Sequence, residues 1–93
     1  LLAEAERLAT AGYVTGASSR NWSAYGSDVE LAAAITPVHR ALLTDPQTSG
    51  GLLVACAPDA VDAVLGAFRR EGFANAAVIG RLEAGAPRVR VDA

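Results

Sequence analysis

The feature that most constrains the fold is a polar, glycine-ended segment that runs directly into an apolar one. Residues 45–51 are Asp-Pro-Gln-Thr-Ser-Gly-Gly, and residues 52–56 are Leu-Leu-Val-Ala-Cys. A continuous apolar run of this length is typical of a strand that is covered on both faces. The proline, hydroxyls and paired glycines before it are typical of a sharply turned loop with exposed backbone amides. The pattern predicts a loop at the entrance of a buried strand over residues 51–56.

The residues after this strand predict a strand–helix–strand unit. A helix is predicted to begin at Pro58 and to stop at Gly72, because apolar side chains recur on one face between them. Residues 76–82 and 88–91 have the composition of two further strands joined by a turn. A parallel connection of this kind implies a right-handed crossover. The last two strands are expected to form a hairpin at an edge of the sheet.

Before the loop, the sequence predicts helices separated by an irregular segment. In chain order these are a helix over 1–11 stopped by Gly12, an irregular loop over 13–26, a short helical turn over 27–34, and a helix from Thr36-Pro37 to Asp45-Pro46. Threonine is a favoured N-cap and proline a favoured first helical residue. The predicted order is helix-loop-helix-strand-helix-strand-strand. This order indicates an α/β (α+β) fold, in which helices pack on a small mixed sheet.

Length and composition limit the class of protein. The 93 residues suffice for one small domain, 1–93. Because 52% of the residues are hydrophobic but only 5% are aromatic, the core must consist mainly of Ala, Val and Leu. Part of the apolar surface is therefore expected to belong to an interface. The chain has no methionine, even at position 1, so we expect it to be a piece of a longer protein.

Charge and cysteine content exclude several classes of function. The net charge of −2 and the lack of a basic block argue against nucleic-acid binding. No apolar stretch approaches the roughly 20 residues that a membrane span needs. The single cysteine, Cys56, rules out an internal disulfide and favours a cytoplasmic protein.

The loop is the first candidate site. The hydroxyls and amides of Thr48 and Ser49, with the backbone of Gly50 and Gly51, have the chemistry of an anion-binding nest. The alternative is that Asp45 and Thr48 only hold a tight connection from helix to strand, and the chemistry alone favours this structural role. The loop has no lysine and lacks the spacing of a nucleotide-binding P-loop.

A second candidate site is Arg20-Asn21-Trp22. Arginine suits phosphate or carboxylate recognition, and Asn21 can fix a backbone group or a ligand amide. The alternative, which the pattern favours, is a local cluster that pins a long loop. His39 is predicted to be a surface or capping residue, and Cys56 a small hydrophobic residue within a strand. The sequence alone shows no complete catalytic or metal site.

Two segments together, Arg-Asn-Trp-Ser-Ala-Tyr-Gly at 20–26 and Asp-Pro-Gln-Thr-Ser-Gly-Gly-Leu-Leu at 45–53, carry a family resemblance. They resemble the C-terminal domain of the selenophosphate synthetase (selenide, water dikinase) family, within the aminoimidazole-ribonucleotide-synthetase superfamily. The likeness covers essentially the whole chain. It implies an enzyme that makes selenophosphate from selenide and ATP, releases AMP and phosphate, and uses Mg²⁺. It also implies a homodimeric parent, whose C-terminal α/β domain closes over the nucleotide.

The resemblance also implies what this chain lacks. In the family, the reactive cysteine or selenocysteine, its lysine and the metal-binding aspartates belong to earlier segments, and Cys56 does not match that context. The positions that carry a role over, as residues that line or support the cleft, are Asn21, Thr48, Ser49, Gly50 and Gly51. The isolated chain is expected to be inactive and to hold no cofactor, with the N-terminal domain of its parent as partner. The alternative is a non-catalytic small-molecule-binding or interaction module on a similar scaffold.

Overall fold

A computed structural model describes residues 1–92, in two units. Of the described residues, the first unit contains 1–50 and 86–92, and the second contains 51–85. In chain order the elements are α1 (Ala3–Thr10), α2 (Gly16–Tyr25), β1 (Val29–Leu31), α3 (Pro37–Leu43), α4 (Val61–Arg70) and β2 (Val89–Val91). Within residues 1–92 these make four helices and one two-stranded sheet, which confirms a mixed α/β fold. No helix in this part of the chain is long and apolar enough to span a membrane.

Local signals fix the ends of α1 and α3 as the sequence predicts. Gly12 follows α1 with a φ of 93°, a conformation that favours glycine. α3 begins after Thr36, whose Oγ1 accepts a hydrogen bond from the His39 amide at 3.2 Å. His39 Nδ1 in turn accepts from the Thr36 amide at 3.4 Å, which completes a capping box. The predicted capping role of His39 is therefore confirmed.

Helix α2 corrects the prediction of an irregular loop over residues 13–26. Its ten residues are mostly small or polar, so no apolar stripe marks them as helical. The helix is defined instead by its N-cap, because Thr15 Oγ1 accepts a hydrogen bond from the Ser18 amide at 3.3 Å. Its Ser18 side chain is buried, with 4% of its surface exposed. Sequence periodicity detects a helix by the apolar residues on its buried face. The buried residue of α2 is polar, so this helix lacks that pattern.

The sheet also differs from the prediction. Residues 26–28 form a 3₁₀ turn and β1 follows, so the short helical turn predicted over 27–34 is wrong. The strand predicted over 88–91 is confirmed as β2, but it forms no hairpin. It pairs in parallel with β1, with Val29 opposite Val89 and Leu31 opposite Val91. The pairing partner lies sixty residues upstream, beyond the reach of local sequence patterns.

The packing of the first unit depends on small side chains. Three of its residues are buried, and only Ala9 among them is hydrophobic; the others are Ser18 and Thr44. α1 and α2 both contact α3. His39 Nε2 lies 3.0 Å from Glu6 Oε1 and adds a polar contact between α1 and α3. This unit is therefore held together by helix caps and polar contacts as well as by apolar burial.

The second unit is built around α4. A 3₁₀ turn from Pro58 to Ala60 leads into this helix, and Gly72, with a φ of 89°, follows it. The rings of Phe68 and Phe73 pack edge to face, with centroids 6.2 Å apart. These features confirm the predicted helix and its stop.

The two strands predicted on either side of α4 are not formed in the structure. Residues 51–56 and 76–82 belong to no strand, so the predicted strand–helix–strand crossover is wrong for the described chain. Leu52 and Leu53 each have 82% of their surface exposed, and Leu82 has 87%. Apolar composition favours a strand only where a neighbouring strand supplies backbone partners, and the described residues supply none to these segments.

Candidate functional site

Asp45, the first residue of the loop, lies at the N-terminus of α2. Its Oδ1 accepts hydrogen bonds from Thr15 Oγ1 at 3.0 Å and from Ser18 Oγ at 3.3 Å. The two hydroxyls lie 3.2 Å apart, so the three side chains form one cluster. A carboxylate is favoured at this end of a helix because the free amides and the helix dipole are positive there. Asp45 is therefore committed to the fold.

Asn21 holds the residue that precedes Asp45. Its Nδ2 donates a hydrogen bond of 2.9 Å to the carbonyl oxygen of Thr44. Thr44 is buried, with 7% of its surface exposed, and its carbonyl is one of those that a helix end leaves without an internal partner. The side chain of Asn21 thus supplies a hydrogen-bond donor to one carbonyl oxygen at the C-terminus of α3. This contact agrees with the backbone-fixing role that the sequence offers for Asn21.

The rest of the loop is exposed. Thr48, Ser49 and Gly50 lie at the surface of the first unit, and the structure describes no side-chain hydrogen bond for the two hydroxyls. Gly51 is the first residue of the second unit and is exposed as well. A Cβ at Gly50 would meet only Gln47, at 3.7 Å, and one at Gly51 would meet nothing within 4 Å. Neither glycine has a positive φ, so the described conformation itself does not require glycine at these two positions.

The structure brings Asn21 and the loop together at the loop's base and not at its tip. Asn21 contacts the residue before Asp45, and no described hydrogen bond joins it to Thr48, Ser49 or Gly50. The base is fixed by hydroxyls and an amide, whereas the tip has donors without described acceptors. The base of the segment is therefore held by the fold, whereas the hydroxyls of the tip are exposed to any group that approaches them.

Thr15 and Ser18 contribute to the base of the loop, although the sequence pattern does not predict this role. They belong to the segment that was expected to be an irregular loop, and the cluster with Asp45 joins residues about 30 positions apart. A usable signal was present, because Thr15 has the side chain of an N-cap and precedes a run of small residues. Periodicity alone does not reveal this signal.

A second group of side chains surrounds Trp22. The guanidinium carbon of Arg40 lies 5.1 Å from the centroid of the Trp22 ring, within the range of a cation–π contact. The Trp22 ring also lies close to Gly26, where an added Cβ would be 2.7 Å from Cε2 of the ring. Gly26 has ordinary helical angles, so the neighbouring indole is the reason that this position has to lack a side chain. Trp22 therefore contacts Arg40 and Gly26 from within a helix, whereas the sequence predicts a cluster that pins a long loop.

The remaining candidate residues lie outside the loop and its supporting cluster. Cys56 is exposed, which corrects its predicted burial in a strand. Among residues 1–92, no group of three or more His, Cys, Asp or Glu side chains is placed to hold a metal ion. The shifted pKa values belong to an exposed pair on α1: the hydrogen bonds from Arg7 lower the pKa of Glu4, and Glu4 raises that of Arg7. This pair is not part of the loop or of its supporting cluster.

Comparison with known proteins gives a consistent assignment. Residues 2–92 match the family described as AIR synthase related protein, C-terminal domain. A protein of Burkholderia orbicola (strain MC0-3) named "Selenide, water dikinase" is 62% identical over 90 residues, which are 97% of this chain and 25% of the relative. The protein of that name from Pseudomonas straminea is 59% identical over 91 residues, 98% of this chain and 26% of the relative. That from Rhizobium meliloti (strain 1021) is 48% identical over 90 residues, 97% of this chain and 26% of the relative.

The chain therefore spans about a quarter of the length of the curated relatives that it matches. No solved structure gives a significant match. The family match over nearly the whole chain confirms the resemblance that the two sequence segments indicate. This chain belongs to the family of AIR synthase related protein C-terminal domains.

Proposed function

We propose that this chain is the C-terminal portion of a selenide, water dikinase. The observation that carries the proposal is an identity of about 60% to relatives of that name along essentially the whole chain. The parent enzyme then makes selenophosphate from selenide and ATP, with release of AMP and phosphate. It works in the cytoplasm, as a homodimer, and the N-terminal domain of the same parent chain is the direct partner of this one.

The catalytic chemistry is assigned to other segments of the parent. The reaction needs Mg²⁺ to neutralise phosphate charge, and Mg²⁺ prefers carboxylate oxygens as protein ligands. Because the resemblance places the metal-binding aspartates in earlier segments of the parent, we assign no Mg²⁺ ligand to this chain. By the same reasoning the isolated chain is proposed to be inactive and to bind ATP weakly at most.

The contribution of this chain is to shape the nucleotide cleft. The cluster of Asp45 with Thr15 and Ser18 fixes the base of the loop. The tip, Thr48 to Gly51, is exposed, and its hydroxyls have no described partner. Such a tip, on a fixed base, is suited to contact a ligand or a neighbouring segment that approaches it.

The first experiment tests the assignment. The gene is extended upstream of Leu1, the parent protein is purified, and selenide, ATP and Mg²⁺ are supplied under anaerobic conditions. We expect ³¹P NMR to detect selenophosphate, together with equal amounts of AMP and phosphate. Absence of selenophosphate with a folded parent would refute the proposed function. Micromolar, Mg²⁺-dependent ATP binding by the isolated chain in calorimetry would refute the assignment of chemistry to other segments.

The second experiment separates the tip of the loop from its base. In the parent enzyme, the double change Thr48→Ala and Ser49→Ala should lower kcat/KM at least about tenfold with little change in Tm, because it removes exposed hydroxyls. Asn21→Ala is the matched control for the base. It removes a half-buried hydrogen bond and should cost about 1 to 2 kcal/mol of stability. If the Thr48/Ser49 variant lost enough stability to account for its loss of activity, the purely structural role would be supported.

A further inference from the structure

The groove between α2 and α3 contains an arginine without an ionic partner. The groove has a volume of about 210 Å³, and its walls include Ser19 and Trp22 from α2 and Arg40 from α3. Four arginines of the described chain form an ion pair with a nearby carboxylate, namely Arg7, Arg81, Arg88 and Arg90. The other four form none among the described residues, and Arg40 is the one of these that lies against an aromatic ring in a groove. For Arg40, the described residues provide only the cation–π contact with Trp22. Its N–H groups are thus free to bind an oxyanion.

The Trp22 ring restricts the guanidinium without consuming its hydrogen bonds. At 5.1 Å from the ring centroid, Arg40 is held by its charge over the aromatic face. The five N–H donors of arginine form a planar fork that matches the oxygens of phosphate or carboxylate. A pre-positioned fork loses less side-chain entropy on binding than a free one. This contact therefore prepares Arg40 for anion recognition.

Two further groups of the groove favour an anion. The hydroxyl of Ser19 and the indole N–H of Trp22 have no hydrogen-bond acceptor among the described residues, so the groove contains other uncommitted donors. Ser18 and Ser19 also belong to the N-terminal half of α2, the positive end of that ten-residue helix. Asp45, the nearby carboxylate, is engaged by Thr15 and Ser18. Its negative charge weakens the affinity but leaves the donors of the groove unoccupied.

We propose that this groove is a binding site for a small oxyanion group, phosphate or carboxylate, with Arg40 as the charged ligand and Ser19 as an added donor. The site is separate from the loop tip at Thr48 and Ser49. This proposal does not depend on whether the parent is a selenide, water dikinase. Because the groove is shallow and Arg40 is exposed, the affinity is expected to lie in the range of about 1 to 10 mM.

The single tryptophan of the sequence supplies the assay, because Trp22 lies in the groove itself. The 93-residue chain is titrated with inorganic phosphate, with acetate and with chloride at constant ionic strength and pH. Trp22 fluorescence and the indole ¹H–¹⁵N signal are followed. We expect saturable changes with phosphate or acetate and none with chloride. The tighter of the two oxyanions identifies whether the natural group is a phosphate or a carboxylate.

Two variants make the test specific. Arg40→Gln should weaken binding at least about tenfold, because a hydrogen bond to a charged group is lost, whereas Arg40→Lys should keep part of the affinity. Arg69→Gln makes the same change of charge on α4, in the second unit, and should leave binding within twofold. Circular dichroism verifies that each variant is folded, and ¹H–¹⁵N signals outside the groove give a second comparison. A linear response to every anion, or an equal loss with Arg69→Gln, would overturn the proposal.

Discussion

Removing the side chain of Asp45 tests whether the first residue of the loop is a structural anchor. Asp45→Ala deletes two hydrogen bonds to a carboxylate, from Thr15 at 3.0 Å and from Ser18 at 3.3 Å. Such bonds contribute about 1.5 to 3 kcal/mol each when well sheltered. Asp45 is only half-buried and the second bond is long, so we expect a total loss of about 2 kcal/mol. For a chain of this size, about 1 kcal/mol shifts Tm by roughly 4 to 8 °C, so the expected decrease is roughly 8 to 16 °C.

Asp45→Asn separates the hydrogen bonds from the charge. The amide keeps an oxygen that both hydroxyls can reach, but it loses the favourable charge at the N-terminus of α2, worth about 0.3 to 1 kcal/mol. Neutral acceptors also make weaker hydrogen bonds. We therefore expect Asp45→Asn to cost about half as much as Asp45→Ala. Asp92→Ala, which removes an exposed ion pair with Arg90, is the control and should change stability by less than about 1 kcal/mol.

Urea unfolding followed by ellipticity at 222 nm measures these differences. A double-mutant cycle of Asp45→Ala with Ser18→Ala then isolates one contact, and we expect a coupling free energy of about 0.5 to 1.5 kcal/mol. A coupling free energy near zero would show that the Ser18–Asp45 contact contributes nothing. An Asp45→Asn variant as unstable as Asp45→Ala would show that charge, and not hydrogen bonding, dominates. Either result would refute the reasoning from the geometry of the cluster.

Two further predictions concern the helices. Gly26→Ala should destabilise the chain by about 1 to 2 kcal/mol in the same urea assay, because its Cβ would lie 2.7 Å from the Trp22 ring, although alanine is the better helix former. The control Gly66→Ala meets only the flexible end of a side chain and should stabilise by about 0.5 to 1 kcal/mol. Because Arg7 lowers the pKa of Glu4 below its ordinary 4.5, the stability from this pair is present above 4.5 and is lost as the pH falls through the lowered pKa. Ellipticity should therefore fall more steeply on acidification in the original chain than in Glu4→Gln, and parallel curves would contradict the contribution of this pair.

The elements that the sequence predicts well are those with local chemical signals. Thr36-Pro37 marks the start of α3 through a cap and a fixed φ, and Gly72 follows α4 with a positive φ. The apolar stripe of α4 has the period of a helix that buries one face. Each of these signals depends on residues within about one or two turns of the position that it determines. Such positions need no information from the rest of the chain.

The elements that the sequence predicts poorly depend on distant partners. Residues 51–56 have the composition of a buried strand, but a strand needs a ladder of hydrogen bonds that composition does not specify. β1 and β2 are three residues each, and their parallel register joins Val29 to Val89. α2 shows no apolar period, because small and polar residues make its contacts.

For the candidate site, the two segments that carry the resemblance are recognisable in the sequence, but the sequence does not predict which of their residues support the loop and which form its exposed tip. The pairing of Asn21 with the Thr44 carbonyl, and of Asp45 with Thr15 and Ser18, requires α2 to be a helix. Because the sequence pattern predicts an irregular loop there, it does not identify the partners in either contact. The tip residues, Thr48 to Gly51, stay candidates on the strength of the resemblance and of their exposure.

The pairing of β1 with β2 makes the first unit discontinuous along the chain. Residues 51–85 are inserted between its two parts, so β1 is synthesised long before the strand that completes its ladder. During translation, Val29 to Leu31 cannot form their ladder until residues 89–91 have been synthesised. The helix α4, in contrast, forms from contiguous residues. We expect this pairing to form late in folding, because the entropy cost of closing a long loop precedes the contacts that compensate it. β2 thus completes the sheet of a unit whose other elements all lie within residues 1–50.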